Sequence, residues 1–274
     1  MASNQAIAPE IFQEISRRLA DAEREHRVRI LYCCESGSRA WGFASPDSDY
    51  DVRFIYVHEE DWYLSFDIER RRDVIEYPIV DEIDCSGWDL RKALYLFTHT
   101  NGALLEWLNS PVCYIERGNF AAKLRDLAPR AINKVALCYH YSHIARKNAR
   151  KCFFRDQVKL KKYFYVLRPL LAIRYIEAGK GLPPVEFEQL VETVAPPEIR
   201  QGIASLLETK RCTPELGLGE PLPAINAFIA AETERHETAT AFHEQERPDM
   251  NERAKLVEEL NVLFRETIRE KFRT

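Results

Sequence analysis

The stretch GSRAWGFASPDSDYDVRFIYV, residues 37–57, comes directly after an apolar run, Val28 to Cys34, and the rest of the fold follows from it. A Gly-Ser pair opens the stretch, and aspartates then occupy every second position at Asp47, Asp49 and Asp51. Alternate residues of a strand point to the same side, so neighbouring carboxylates there repel each other unless a cation lies between them. The pattern therefore predicts a buried strand, a phosphate-sized turn and a second strand that presents acids.

Composition is that of an ordinary soluble globular protein. The chain has 274 residues, with 46% hydrophobic and 30% charged residues and a formal net charge of -4. No apolar run reaches the roughly 18 residues of a membrane-spanning helix, and Met1 to Glu10 lacks the basic and apolar segments of a signal peptide. We therefore expect a cytoplasmic protein. The seven cysteines contain no C-x-x-C pair, which argues against a disulfide framework or a zinc site.

Hydrophobic periodicity divides the chain into two parts. Alternating, β-branched segments alternate with short helices up to about residue 118, whereas helical periodicity dominates after about Asn119. We expect an α+β fold in which a small mixed β-sheet with flanking helices, residues 1–118, precedes a C-terminal helical domain, residues 119–274. Short strands are expected at 73–77 and 82–86, and a helix from Trp88 to about His99.

The residues that flank each aspartate indicate different roles for the three aspartates. Pro46 and Ser48 flank Asp47, which marks it as a turn residue. Asp49 and Asp51 remain as a same-facing pair, as two-metal sites require, with ions about 3.5 to 4 Å apart. A third acid is expected from a neighbouring strand, where Glu82 and Asp84 are both candidates. Asp84 is preferred because it lies nearer the turn before the next helix, and whether Glu82 joins it stays open.

At this point the sequence resembles the nucleotidyltransferase superfamily typified by DNA polymerase β, whose motif is a helix-opening Gly-Ser, then Asp-x-Asp, then a distal Asp. Gly37, Ser38, Asp49, Asp51 and Asp84 match it in order and spacing. The resemblance extends to a branch of predicted bacterial and phage nucleotidyltransferases that includes the RNA-ligase-associated polymerases. It rests on the strings GSRAWGFASPDSDYDVRF, IDCSGWDLRKAL, LLEWLNSPVCY and KKYFYVLRPLLA, which together cover most of residues 28–178.

The resemblance implies a mixed sheet followed by a helical domain that closes the nucleotide cleft. Asp49 and Asp51 would hold both Mg²⁺ (or Mn²⁺) ions, and Asp84 would bind one of them and help to activate the acceptor hydroxyl. Ser38 would bind a terminal phosphate, and Gly37 would let the backbone approach it. Beside this turn, Arg39 can neutralise charge on the phosphates or pair with Asp47, and the sequence leaves both open.

Basic residues are concentrated between Arg146 and Arg174. In the related enzymes a lysine and a tyrosine on a helix after the catalytic domain commonly contact the triphosphate. The candidates here for nucleotide binding are Lys161, Lys162, Tyr165 and Arg168. Pro169 is expected to kink or break this helix and so to aim Arg168 at the nucleotide. A separate basic cluster is a candidate for acceptor binding or, equally, for a solvated helix face: Arg146, Lys147, Arg150 and Lys151.

The expected reaction is metal-dependent transfer of NMP from an NTP, with ATP as the expected donor, to an acceptor hydroxyl with release of pyrophosphate. The basic residues favour an RNA 3′ end as the acceptor. A protein hydroxyl and a small-molecule hydroxyl are alternatives that share the same active site. A non-catalytic nucleotide-binding regulator is a further alternative, although three intact acids argue against it because an unused cluster of like charges destabilises a fold.

Overall fold

The computed structural model describes residues 7–150, 157–212, 217–238 and 250–270. These residues form two compact units. The sheet unit consists of residues 7–40, 49–132 and 250–270, and the helical unit of residues 41–48, 133–150, 157–212 and 217–238.

A mixed sheet of five strands in the order β3-β4-β2-β1-β5 lies in the sheet unit. Its strands are β1 (Val28–Glu35), β2 (Tyr50–His58), β3 (Val74–Glu76), β4 (Ile83–Asp89) and β5 (Cys113–Glu116). Strands β2 and β4 are parallel, and the other neighbours are antiparallel. The predicted α+β class with a small mixed sheet and flanking helices is confirmed.

Helices make up most of the remaining described residues. In chain order they are α1 (Pro9–His26), α2 (Gly37–Ala40), α3 (Glu60–Tyr63), α4 (Leu90–Thr98), α5 (Gly102–Leu108), α6 (Phe120–Ala131), α7 (Lys134–Ala149), α8 (Lys161–Glu177), α9 (Phe187–Val194), α10 (Pro197–Cys212), α11 (Pro223–Thr238) and α12 (Met250–Arg269). A short 3-10 helix (Ile68–Arg70) and a two-stranded ribbon of β6 (Val158–Lys159) and β7 (Leu218–Gly219) complete the described elements.

The core of the sheet unit lies between α1 and one face of the sheet. Ile15 and Leu19 of α1 pack against sheet residues that include Ile30 and Phe54, and all four are at most 1% exposed. At about 25 cal/mol per Å² of apolar area, burial of such side chains is the main term that holds α1 to the sheet.

Helix α12 belongs to the sheet unit although it ends the described chain. Lys123 and Arg130 of α6 form ion pairs at 2.8 Å with Glu266 and Glu259 of α12. The compact units therefore divide the chain differently from the two predicted domains, because residues 119–132 and 250–270 pack with the sheet. The functional division at residue 118 stays a prediction.

Strand β4 is longer than the sequence pattern indicates. Trp88 and Asp89 were predicted to open a helix, but both lie in β4, and α4 begins at Leu90. The Asp89 carboxylate accepts a hydrogen bond from the Arg91 amide at 2.8 Å and so caps α4. Trp88 pairs with Val74 of β3 and with Ile55 of β2, which keeps it in the sheet.

In the helical unit, α8 continues through Pro169 from Lys161 to Glu177. Of the two predicted outcomes, the break is therefore wrong and the kink stays a prediction. An interior proline costs about 3 kcal/mol, but Leu167, Leu170 and Leu171 beside it are at most 1% exposed. Their burial offsets that cost.

Among the described residues, no helix is both long enough and apolar enough to cross a bilayer.

Candidate active site

The Asp51 and Asp84 side chains lie side by side at one end of the sheet. Because β2 and β4 are parallel and paired in register, Asp51 is the direct Cα partner of Asp84. Each side chain is roughly one-third exposed or less, 28% for Asp51 and 30% for Asp84. The register of β2 and β4 therefore places Asp51 and Asp84, the second and third acids of the motif, on neighbouring strands and next to each other.

Arg53 bridges the two carboxylates. Its Nη2 donates to Asp51 Oδ1 at 2.9 Å and to Asp84 Oδ2 at 2.7 Å. Sequence reasoning missed this residue, although the same alternation that pairs Asp49 with Asp51 extends two positions further, to Arg53. The guanidinium supplies the positive charge that two adjacent carboxylates need.

The surroundings of Asp51 disfavour the charged form of its carboxyl group. Burial raises the pKa of Asp51 above its usual range, Arg53 opposes this shift, and the charges of Asp84 and Asp49 add to it. A side chain in this environment is stabilised in its charged form by any further cation.

The turn after β1 is shaped around the Asp51 carboxylate. Gly37 has φ +57°, in the left-handed region, and a Cβ at this position would overlap Asp51 Oδ2. Only glycine satisfies both conditions. The close approach that the structure shows at Gly37 is to the Asp51 side chain, and the predicted approach to a phosphate stays a prediction; the buried Ser38 follows Gly37 in α2.

Glu35, the last residue of β1, is a buried carboxyl behind this turn. It is 0% exposed, and it accepts hydrogen bonds from the Asp51 amide at 2.8 Å and from the Tyr114 hydroxyl at 2.5 Å. Burial raises the pKa of Glu35 to about 7, even though both hydrogen bonds lower it. Sequence reasoning missed Glu35, and the available signal was an acid at the end of a mainly apolar strand.

Stability should therefore fall as Glu35 ionises. The carboxyl titrates near its ordinary pKa of 4.5 when unfolded and at about 7 when folded, so the folded state binds more protons between these values and loses stability as pH rises. Relative to Glu35→Gln, which cannot ionise, we expect the wild-type free energy of unfolding to fall by about 2 kcal/mol from pH 5 to pH 8. Urea unfolding of both proteins measures this, and parallel pH profiles would contradict it.

The remaining predicted residues of the motif lie around this centre. Asp49 is exposed and lies just before β2. The Arg39 guanidinium lies 3.8 Å from the centroid of the Tyr50 ring, and its Nε donates to the Asp49 carbonyl at 3.2 Å. Glu82 precedes β4 with φ +62°, so the strand alternation that places Asp84 does not extend to it.

Asp51 and Asp84 fit a divalent cation in their chemistry, because their carboxylate oxygens already converge on one positive group. Within the described ranges, no group of three or more His, Cys, Asp or Glu side chains is arranged to hold a metal. Asp49, Asp51 and Asp84 therefore stay candidate ligands. Two of them, Asp51 and Asp84, form ion pairs with Arg53.

In the helical unit, α8 carries the other predicted nucleotide contacts. Lys161, Lys162 and Tyr165 are half-buried, and Lys162 Nζ lies 5.2 Å from the centroid of the Tyr165 ring. Arg168 is 4% exposed, donates to the Val185 carbonyl and lies over the Trp41 ring at 4.7 Å. These contacts give Arg168 a packing role, and its predicted nucleotide contact stays a prediction.

Residues 41–48, which separate the two parts of the motif in sequence, pack within the helical unit. Phe43 stacks on Phe164 with 4.7 Å between ring centroids. Lys210 of α10 is 6% exposed and its Nζ lies 3.3 Å from Ser45 Oγ. Burial lowers the pKa of Lys210, and the Asp47 carboxylate opposes that shift. Sequence reasoning missed Lys210, because nothing local distinguishes it from a solvated helix lysine.

The predicted acceptor cluster lies at the end of α7. Lys147 and Arg150 are exposed and Arg146 is half-buried, whereas Lys151 lies outside the described residues. Three of the four predicted residues are thus placed together in the last turn of α7 and directly after it.

Comparison with known proteins identifies the family. A model of the RlaP family, described as the RNA repair pathway DNA polymerase beta family, matches residues 11–266. The chain belongs to this family. The family places it among the polymerase β-like nucleotidyltransferases and confirms the resemblance seen in the motifs.

Two individual proteins were also compared. A protein of Bacillus subtilis (strain 168), named uncharacterized protein YcgL, is 46% identical over 259 residues, covering 94% of this chain and 96% of the relative. A nucleotidyltransferase-like protein from Exiguobacterium sibiricum 255-15, known from a crystal structure, is 11% identical. The match covers 94% of this chain and 91% of that protein, with a TM-score of 0.30.

Proposed function

We propose that the protein is a metal-dependent nucleotidyltransferase that transfers NMP from an NTP, with ATP as the expected donor, to the 3′ hydroxyl of an RNA. The observation that carries this proposal is the registered pair of Asp51 and Asp84 beside the Gly37 turn. Family membership supports the same class of reaction. The acceptor hydroxyl would pass its proton to Asp84 as its oxygen attacks the α-phosphorus, the bond between that phosphorus and the oxygen bridging to the β-phosphorus breaks, and pyrophosphate leaves with the electron pair.

The Gly37 turn and the residues beside it would bind the phosphates. The Ser38 hydroxyl and the backbone amides of the Gly37 turn would donate to phosphate oxygens. Arg39, held over Tyr50, adds positive charge beside them. Lys161, Lys162 and Tyr165 of the helical unit are proposed as further contacts to the triphosphate, on the resemblance alone.

The three acids would neutralise the phosphate charge through the cation that they hold. Asp49, Asp51 and Asp84 would hold Mg²⁺ or Mn²⁺, which polarises the α-phosphate and stabilises the charge that develops on the leaving oxygen. Asp84 would also orient the acceptor hydroxyl, because it lies on the strand next to Asp51. In-line transfer depends mainly on the positions of the reacting groups and on neutralisation of the phosphate charge. The parallel register of β2 and β4 would contribute to both, because it places the Asp51 and Asp84 carboxylates side by side.

An RNA acceptor is favoured by the basic end of α7 and by the RNA repair description of the family. The test offers α-labelled NTPs to total RNA, total protein and small-molecule acceptors with Mg²⁺ or Mn²⁺. We expect label in RNA. Label only in protein or small molecules would replace the acceptor, and no label in any pool would favour a nucleotide-binding regulator.

RNA affinity should depend on salt through the basic end of α7. Each phosphate contact contributes roughly 0.7 to the slope of log affinity against log salt for single strands. Replacing Arg146, Lys147 and Arg150 together with Gln should therefore lower the slope by about 2. Fluorescence anisotropy with single-stranded RNA measures it.

The control replaces Arg17 and Arg24 of α1 with Gln, because both side chains are exposed and pair with local carboxylates. We expect this control to retain the wild-type slope. A flat salt response of the wild type, or equal slopes in all three proteins, would contradict a role for α7 in RNA binding.

A further inference from the structure

A cavity of about 330 Å³ opens in the sheet unit at the end of β2 that is remote from the acids. His58, the last residue of β2, lies in its wall, and Ile75 of β3 lines it as well. Asp51 and His58 are separated by roughly 23 Å, because a strand rises about 3.3 Å per residue. The cavity is therefore distinct from the proposed site of transfer, and its volume is in the range of small-molecule sites.

Planar side chains are stacked at this cavity. The His58 imidazole and the Trp62 indole are nearly parallel, with 4.0 Å between ring centroids and 12° between ring planes. The Arg71 guanidinium lies 5.6 Å from the centroid of the Trp62 ring. All three residues line the cavity. Aromatic rings and guanidinium planes are the surfaces on which proteins stack nucleobases, so this wall suits a planar ring.

Two polar groups in the cavity wall can form hydrogen bonds to a ligand. Tyr56 is 1% exposed, and within the described ranges neither its hydroxyl nor a ring nitrogen of His58 has a hydrogen-bond partner. Burial lowers the pKa of His58 to about 4, so its imidazole is neutral near pH 7 and has one donor and one acceptor nitrogen. Both groups can therefore donate and accept, as the polar edge of a nucleobase requires.

Two arginines bring positive charge to the same cavity. Arg71 pairs through Nε with Asp67 at 3.2 Å, and Arg72 pairs through Nη2 with Glu76 at 2.7 Å. Each of these pairs uses one nitrogen of a guanidinium that has five N–H donors. The remaining donors are of the kind that binds phosphate in a bidentate manner.

We propose that this cavity is a second nucleotide-binding site, which takes one nucleoside monophosphate unit, either free or as part of an RNA strand. The base stacks on the planar wall of His58 and Trp62. Its polar edge meets the Tyr56 hydroxyl, and its phosphate meets Arg71 and Arg72. The inference goes beyond the proposed function and does not depend on it, since none of these residues belongs to the catalytic motif.

The test is binding of AMP in EDTA, which removes divalent ions from the active site, measured by isothermal titration calorimetry. The wild type should bind AMP more tightly than adenosine or inorganic phosphate. Trp62→Ala should weaken binding by about tenfold, because stacking on one aromatic side chain contributes affinity of that order. Replacing Arg71 and Arg72 together with Gln should leave AMP bound no more tightly than adenosine.

Two matched controls remove similar side chains outside the cavity. Phe66→Ala removes a fully exposed aromatic ring from the same segment as Trp62. Arg91→Gln removes an exposed arginine that pairs with a single carboxylate, Glu69. Both should bind AMP as the wild type does. An unchanged affinity in folded Trp62→Ala would overturn the inference, and so would a wild type that does not bind AMP.

Photo-crosslinking locates the nucleotide without any variant. Irradiation of the wild type with 8-azidoadenosine monophosphate in EDTA, followed by mass spectrometry of its peptides, should give crosslinks within residues 56–76. Crosslinks confined to residues 37–51 would place the nucleotide in the active site and overturn the inference.

A short single-stranded RNA with a 3′-deoxy end distinguishes the two sources of the nucleotide. If the cavity takes a nucleotide of an RNA strand, this RNA should compete with AMP for the wild type and bind more weakly to Trp62→Ala. If it takes a free nucleotide, AMP binding should be unchanged by the RNA. Either result supports the second site, and nucleotidyl transfer, which tests the proposed function, is measured independently of both.

Discussion

Replacing Asp51 with Asn should lower the rate of nucleotidyl transfer by about a thousandfold and leave the protein folded. Asp51 pairs with Arg53 and lies against the Gly37 turn, so its negative charge would hold the proposed ion beside the phosphates. Loss of a single preorganised electrostatic group typically costs about a hundred- to a thousandfold in rate. The measurement is incorporation of α-labelled NMP under single-turnover conditions.

The fold should survive because burial already disfavours the charged form of Asp51. Asn removes that cost, keeps the size of the side chain, and leaves Arg53 paired with Asp84. Asp47→Asn is the matched control, an exposed turn aspartate four positions earlier, and it should retain activity. Transfer by purified, folded Asp51→Asn at near the wild-type rate would reject the assignment.

Replacing Gly37 with Ala should lower both activity and stability. A left-handed backbone costs a non-glycine residue about 1 to 2 kcal/mol, and displacing a packed neighbour adds about 1 to 3 kcal/mol. The displaced neighbour here is the Asp51 carboxylate. We expect the unfolding free energy to fall by about 2 to 5 kcal/mol and transfer to fall by about a hundredfold, since misplacement by about 1 Å has such an effect.

Gly179→Ala separates the two causes. Gly179 follows α8 with φ +71°, and a Cβ there meets nothing within 4 Å. It should therefore lose about 1 kcal/mol of stability and keep full activity. Urea unfolding and the labelled-NTP assay on both variants decide the matter. Equal activity losses in the two variants would show that general destabilisation, and not contact with Asp51, accounts for the loss in Gly37→Ala.

The motif residues could be predicted from the sequence because their proposed roles depend on the spacing of residues that are close together in the chain. A Gly-Ser turn and alternating aspartates constrain their own geometry, so the sequence predicts Gly37 and Asp51 without any knowledge of the fold. Asp84 needed one further assumption, that its strand pairs with the strand of Asp51, and the parallel register provides this pairing.

Residues whose role depends on partners distant in sequence could not be found in the same way. Glu35 becomes important only when Asp51 and Tyr114 are brought to it, from 16 and 79 positions away. Likewise, α12 packs with the sheet through ion pairs to α6 that no local pattern encodes. Strand β4 extends beyond the predicted 82–86 as far as Asp89, because pairing with β2 and β3 continues to that residue and Asp89 is the residue that caps the next helix.

Extension of a defined RNA tests the central claim most directly. A labelled single-stranded RNA with a free 3′ hydroxyl, incubated with ATP and Mg²⁺, should become one or more nucleotides longer and release pyrophosphate in equal amount. The same RNA with a 3′-deoxy end should give no product, and the Asp51→Asn enzyme should extend the intact RNA about a thousandfold more slowly than the wild type. Extension of the 3′-deoxy RNA, extension by Asp51→Asn at near the wild-type rate, or an intact RNA that is not extended while NMP appears in protein or a small molecule, would contradict the account.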